Sequence, residues 1–326
     1  MNTPPRSMYA IQIRHFGGPE AVEFAQVHVP EPREGELLLK VQAASLNPVD
    51  WKIRSGKYPA VGQDKLPYVL GRDLSAIVVV SGDPEFPPGT LVHGLLDISR
   101  GSFAEYAIAR PNEVVRVPGT LERISAAAVP LAGLTAWQGL FDQGGLRAGQ
   151  TVLIHAGAGG VGHLAVQFAK ARGATVIATA SSDHVAFVRS LGADEVIDHR
   201  QERFEDRVRD LDLVYDLVGG QTQERSWALL KKGGTLVTTL GEPSQEQARA
   251  HGVRATRYTA QSSAAQLREI DVLIEANKVR PHVLRVYDVA TAREAFIAME
   301  EGHLAGKIVL DLASTISGAP DHPWQR

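Results

Sequence analysis

The sequence predicts an α/β protein of two parts, a barrel-like β unit followed by a doubly wound parallel sheet. Three features carry that expectation. The first third is built of short β-branched or alternating runs divided by glycine and proline. From Thr151 the rhythm changes to strands alternating with helices, the pattern of a parallel sheet covered on both faces. A glycine-rich turn joins the first of those strands to the first of those helices. A chain of 326 residues is long enough for both parts.

In chain order, strands are expected at 9–14, 37–43, 74–80 and 103–108, separated by breaks such as Gly17-Gly18-Pro19 and Pro87-Pro88-Gly89. The β unit should end near residue 120. The second part should place strands at 151–155, 174–179, 195–197, 213–218, 235–240 and 253–258. Helical patterns fill 161–172, 184–191, 223–230 and 264–277. The charged run 201–210 reads as a solvated helix face. The tail from Ser314, rich in Ser, Gly and Pro, is expected to fray.

Bulk composition removes several classes. Hydrophobic residues make up 44% and charged residues 22%, an ordinary soluble balance, and the net charge of −3 gives no field for nucleic acid or an anionic membrane. No apolar run approaches a membrane span, and the opening Met1-Asn2-Thr3-Pro4-Pro5-Arg6 lacks a signal-peptide core, so a cytoplasmic location is expected. There is no cysteine. Disulfides, thiolate catalysis and sulfur-ligated zinc are therefore excluded, and redox chemistry must be carried by a bound cofactor.

Thr151-Val152-Leu153-Ile154-His155 leads into Ala156-Gly157-Ala158-Gly159-Gly160-Val161-Gly162 and then a helix with Val161, Ala165, Phe168 and Ala169 on one face and Gly173 at its end. In that setting Gly157 should allow the tight turn, Gly159 a close backbone approach to a diphosphate, and Gly162 close helix–strand packing. The helix start then faces the phosphates. A bare structural turn is the alternative, which the surrounding βαβ pattern disfavours. The second strand ends at Thr179-Ala180-Ser181-Ser182 without a carboxylate to repel a 2′-phosphate, and His199 and Arg200 offer positive charge after the third. NADPH is the expected cofactor, unless Asp183 turns its side chain inward.

The chain resembles the zinc-free quinone oxidoreductase (zeta-crystallin-like) branch of the medium-chain dehydrogenase/reductase superfamily. The likeness runs through Ser45 to Asp50, Leu70 to Asp73, Gly101 to Tyr106, Leu134 to Trp137, the glycine turn, Ser190 to Asp194, Asp212 to Gly219 and Gly306 to Leu310. It implies a GroES-like β-barrel catalytic domain (1–120, completed by 264–326) around a Rossmann domain (121–263), and a homodimer. It also implies that Ala158 to Val161 line the diphosphate and that His199 lies by the adenosine phosphate. Thr135, Val218, Thr239, Leu240, Tyr258 and Lys307 are placed near the cofactor. Zinc-dependent relatives carry a cysteine near Asn47 and a histidine near Arg72, and neither is present here. No His/Asp/Glu cluster has metal spacing, so no metal is expected; His15, His28 and His93 read as surface or satisfied groups.

Hydride transfer to a simple ketone concentrates charge on one oxygen and calls for a strong electrophile. A quinone or α,β-unsaturated carbonyl spreads that charge, so a zinc-free site suits conjugated acceptors. On the substrate side, Asn47 is expected to cap the helix begun by Pro48 or to contact substrate or ribose. Trp51 stacks on a flat acceptor or is core. Lys52 stabilises an oxyanion or is simply exposed, and Tyr58 is a candidate donor. Asp73 and Tyr106 read as structural. Two further readings remain open: a nucleotide-binding structural or regulatory protein with little turnover, and an enoyl-thioester reductase.

Overall fold

The computed structural model describes residues 4–302 and 304–313; the tail expected to fray lies outside them. Apolar alternation in the first third folds as expected. Strands β1 (Ser7–Ile13), β2 (Glu23–His28) and β3 (Leu37–Leu46) are followed by helix α1 (Pro48–Arg54). Then come β4 (Tyr68–Val69), β5 (Asp73–Val80), β6 (Leu91–Leu95), β7 (Tyr106–Ala109) and β8 (Val114–Arg116). Helices α2 (Arg123–Ala127) and α3 (Pro130–Trp137) lead through a π-helical turn at Gln138–Gln143 into the second sheet.

That sheet contains β9 (Thr151–Ile154), β10 (Thr175–Ala180), β11 (Glu195–Asp198), β12 (Leu211–Asp216), β13 (Leu230–Thr238) and β14 (Arg254–Arg257). Between them run α4 (Gly162–Ala171), α5 (Val185–Ser190), α6 (Gln221–Ser226) and α7 (Gln245–His251). All pairings are parallel in the order β11-β10-β9-β12-β13-β14, with the switch point at the end of β9. Ligands in such sheets bind beyond the carboxyl ends of the strands at that point. The chain closes with α8 (Ala264–Glu275), β15 (Val283–Asp288), α9 (Ala292–Glu301) and β16 (Lys307–Asp311). Strand β16 pairs antiparallel with β3, Ile308 opposite Leu46, so this late segment completes the barrel sheet begun in the first third.

Three expectations are corrected. The run 201–210 is not a helix: only Phe204–Asp206 makes a 3-10 turn, because Phe204 is buried in the core and tethers the segment. Helix α8 does not belong with the returning segment, since Leu267, Ile270 and Ile274 pack in one cluster with Val152, Ile154 and Leu164; the return starts at Val283. Helix α2, expected in the nucleotide unit, packs Ala127 and Ala128 against Ala43 and Val309 of the barrel sheet. Of the two roles expected of His93, surface or satisfied, the structure shows the second: it is buried, with the Ala126 carbonyl at 3.2 Å and Asp271 at 3.0 Å. No helix among the described residues is long and apolar enough to cross a membrane.

Candidate active site

At the end of β9 the backbone makes its left-handed step at Ala156 (φ 55°) and not at a glycine, correcting the role expected of Gly157. Gly157 is required for space: a Cβ there would lie 2.9 Å from the Ala178 methyl and 3.2 Å from Val188. At Gly162 a Cβ would drive into the Ala156 carbonyl, so close packing of helix on strand does depend on that glycine. Gly160 faces Lys307, whose Cδ would stand 3.1 Å from an added Cβ. The turn is braced from below. The Gly157 N–H donates to the Thr179 carbonyl at 2.9 Å, and the Ala156 N–H donates to the Thr179 hydroxyl at 3.2 Å. Thr179, expected to touch the cofactor, is thus buried beneath the turn. Among the described residues the N–H groups of Ala158, Gly160 and Val161 have no backbone partner. With the start of α4 they form a cradle suited to an anion.

A cavity of about 440 Å³ opens over this cradle, walled by both units. Eight of the expected residues line it: Asn47, Ala158, Gly159, Gly160, Val161, Ser181, His199 and Lys307. Leu46, Pro48, Met299 and Leu304 add an apolar wall, and His184 joins the polar end. Of these five, Leu46 and Pro48 lie in a segment of family likeness and His184 begins an expected helix, whereas Met299 and Leu304 carried no signal.

The other expected residues fall elsewhere. Gly157 and Gly162 are part of the turn's packing. Ser182 holds the Asp198 carboxylate and, with the Arg200 N–H and the charges of His199 and Arg200, keeps it below the usual carboxylate range. The Arg200 guanidinium pairs with Asp183 at 3.3 Å, both well exposed, so Asp183 does not turn into the cavity. Val218 is 48% exposed at the carboxyl edge of the sheet, with Thr239 and Leu240 half-buried after β13. Thr135 bonds back to the Leu131 carbonyl within its helix. The Tyr258 hydroxyl is committed to the Thr135 carbonyl and the Tyr215 hydroxyl, and burial raises its pKa, which leaves it unsuited to proton donation. Trp51, Lys52 and Tyr58 lie on or just after α1, outside the cavity wall; Trp51 and Tyr58 pack partly against the barrel core.

The strongest electrostatic feature is Lys307, 3% exposed. Its ammonium donates to the Leu46 carbonyl at 3.0 Å and to the Asn47 side-chain oxygen. The Asn47 amide in turn donates to Asp73 at 3.2 Å, and the Ser45 hydroxyl reaches the same carboxylate at 2.9 Å. Burial pushes the Asp73 carboxyl up while Lys307 pulls it down; burial likewise lowers the Lys307 pKa. Asn47 is the N-cap of α1, and Asp50 returns a carboxylate oxygen to its N–H at 2.7 Å. Burial pushes the Asp50 carboxyl up to about 7. Asp73 is therefore more than a barrel strut: it anchors the charge network that borders the cavity.

This donor set does not suit zinc. Asn47 is occupied by an ammonium, Arg72 donates to the Leu96 carbonyl at 2.8 Å, and both Lys307 and Arg72 are buried cations where a dication would have to sit. No group of three or more metal-capable side chains occurs among the described residues.

Two buried polar residues of α4 escaped sequence reasoning. The His163 ring accepts the His282 N–H at Nε2 (3.1 Å), so its Nδ1 carries the proton and donates to the Gly159 carbonyl at 3.0 Å. One turn on, Gln167 donates to the Arg280 carbonyl at 3.1 Å and accepts the Arg280 N–H at 2.8 Å. The segment they hold receives the Lys307 N–H at the His282 carbonyl (2.9 Å), and the Gly306 N–H reaches the Ala158 carbonyl (2.9 Å). The helix behind the glycine turn thereby fixes the strand that delivers Lys307. The i, i+4 spacing of His163 and Gln167 was the only available signal.

Comparison with known proteins agrees with this arrangement. Residues 33–119 match the model of the alcohol dehydrogenase GroES-like domain, and residues 191–310 that of a zinc-binding dehydrogenase. The 2-methylene-furan-3-one reductase of Solanum lycopersicum is 34% identical, over 94% of this chain and 79% of that protein. The chloroplastic NADPH-dependent alkenal/one oxidoreductase of Arabidopsis thaliana is 33% identical, over 94% and 80%. A solved quinone oxidoreductase from Coxiella burnetii superposes with a TM-score of 0.87 at 36% identity, over 94% and 99% of the two chains.

Proposed function

Because the chain belongs to the medium-chain dehydrogenase/reductase superfamily, we propose that it is an NADPH-dependent reductase of quinones or α,β-unsaturated carbonyls that works without zinc. The observation that carries the reading is one cavity holding both an amide cradle without backbone partners and a buried ammonium, with no cluster of three metal-capable side chains among the described residues. The tomato and Arabidopsis relatives are named for reducing conjugated carbonyls, and the latter for NADPH.

In this reading the amides of Ala158, Gly160 and Val161 and the start of α4 hold the diphosphate. Ser181, Ser182, His199 and Arg200 receive the adenosine end, where no strand-end carboxylate opposes a 2′-phosphate. Thr135, Val218, Thr239 and Leu240 border the nicotinamide half through backbone and apolar surface. When bound, NADPH supplies the hydride. Lys307, locked by Asn47 and Leu46, keeps a positive charge beside the cradle, and Leu46, Met299 and Leu304 keep water from the reacting end. Trp51, Lys52 and Tyr58, on and just after α1, are assigned to an outer substrate side beyond the cavity wall. Because a conjugated acceptor disperses the incoming charge, the site needs positioning more than a strong electrophile.

The test is NADPH consumption with a naphthoquinone or a simple enone in the presence and absence of a chelator. Unchanged turnover with chelator is expected, and abolition by it would overturn the zinc-free claim. With NADPH and NADH compared side by side, NADPH should bind more tightly, and Arg200→Ala should narrow the gap by about tenfold; equal affinities in the native protein would refute the 2′-phosphate assignment. A homodimer and a cytoplasmic location belong to the same proposal, checked by sedimentation and cell fractionation.

A further inference from the structure

Beneath the glycine turn lies a buried histidine that the site described above leaves unused. His155, the residue after β9, is fully buried, as is Ser226 at the end of α6, and Thr179 of β10 is 3% exposed. None of the three lines the cavity. The His155 ring stands between the two hydroxyls, with Nδ1 3.2 Å from Thr179 Oγ1 and Nε2 3.0 Å from Ser226 Oγ. The Phe204 ring packs against it at 67°, centroids 4.7 Å apart, and holds the plane of the imidazole.

Each proton in this row has one place to go. The Ser226 hydroxyl donates back to the Thr222 carbonyl at 2.7 Å, so towards His155 it can only accept. Nε2 therefore carries the ring proton. Burial holds the ring below the ordinary histidine pKa and so neutral, which leaves Nδ1 as an acceptor. The Thr179 hydroxyl then donates to Nδ1 and turns a lone pair to the Ala156 N–H at 3.2 Å. Ala156 is the residue at φ 55°, a conformation that alanine resists, and the amides of Ala158, Gly160 and Val161 follow from its direction. The far end of the row is itself fixed. On the same helix Gln223 donates to the buried Asp216 carboxylate at 2.9 Å, and Trp227, next to Ser226, is buried in the core.

We propose that Thr179 and His155 are positioning residues for the nicotinamide cofactor: the row Ser226–His155–Thr179 holds Ala156 in its left-handed conformation and so aims the amide cradle at the diphosphate. This rests on the reductase reading above and adds a means by which α6 sets cofactor affinity from outside the cavity.

The test is the Kd of NADPH, measured by calorimetry on the full-length protein. Thr179→Val keeps the shape of the side chain, removes the hydroxyl and leaves the Ala156 N–H unpaired; it should weaken NADPH by about tenfold. Thr179→Ser restores the hydroxyl and should bind within about twofold of the native protein. Ser226→Ala frees the ring to move its proton to Nδ1, which then competes with the Ala156 N–H for the threonine oxygen; a loss of about threefold is expected. Added to Thr179→Val, where the row is already cut, Ser226→Ala should cost little more. Native affinity in Thr179→Val, a serine variant as weak as the valine one, or losses that multiply in the double variant would each overturn the proposal while leaving the reductase reading intact. Should Thr179→Val fail to fold, Ser226→Ala decides alone, and unchanged affinity there would overturn the proposal. A native protein that binds no NADPH would instead remove the reductase reading, and this inference with it.

Discussion

Lys307 and Asp73 are opposite charges held in the same dry network, joined through Asn47. Removing one member of such a set leaves the other uncompensated. Lys307→Met, which roughly preserves volume, should therefore cost about 3–5 kcal/mol in chemical denaturation. The double variant Lys307→Met with Asp73→Asn should recover part of that loss, because the stranded charge is gone. If the two losses simply add, the charges are not coupled. This network joins residues hundreds of positions apart, so no local pattern announces it. The glycine-lysine pair near the chain's end was visible only through family likeness, and Asp73 read as barrel structure.

At the scale of elements, α4 serves as both the cradle and the clamp. Burial pushes the His163 ring down to about 4 from the ordinary histidine value of 6.5, so the folded state favours the neutral ring. A depressed histidine leaves the unfolded chain binding more protons in that interval. The stability it contributes is complete above pH 6.5 and is lost as pH falls towards 4, by about 3 kcal/mol. Replacing it with a residue that cannot titrate, His163→Gln, should remove that share of the acid sensitivity. The check is the difference in unfolding free energy between native and variant protein at pH 7 and pH 4.5. A difference that stays constant across that range would show that the ring does not titrate as its burial requires.

The glycine turn itself was legible because steric demand leaves a local mark: a side chain at Gly157 or Gly162 collides with its neighbours. Strands β3, β5, β9 and β10 were legible for a similar reason, since alternation or an apolar run of strand length has one ready explanation. The run 201–210 misled because its charges suggested a helix, while the single buried ring of Phe204 decides the geometry. The wall supplied by Met299 and Leu304 was invisible, because only packing of the distant α9 segment brings it to the turn. The left-handed step at Ala156 was missed because alanine gives no hint of positive φ.

Across the whole molecule, the cavity exists only where two sheets of different construction meet. The parallel sheet is contiguous in the chain, from β9 at Thr151–Ile154 to β14 at Arg254–Arg257. The barrel sheet is not: β3 finds its neighbour in β16, and Ile308 stands opposite Leu46. A nascent chain can therefore finish its nucleotide-holding half while β3, already paired with β7 over residues 37–40, still waits with its end at residues 43–46 unpaired on that side. Open edges of that kind invite pairing with other chains. The strand that seals that edge also carries Lys307 into place, so closing the barrel sheet and arming the site become the same event.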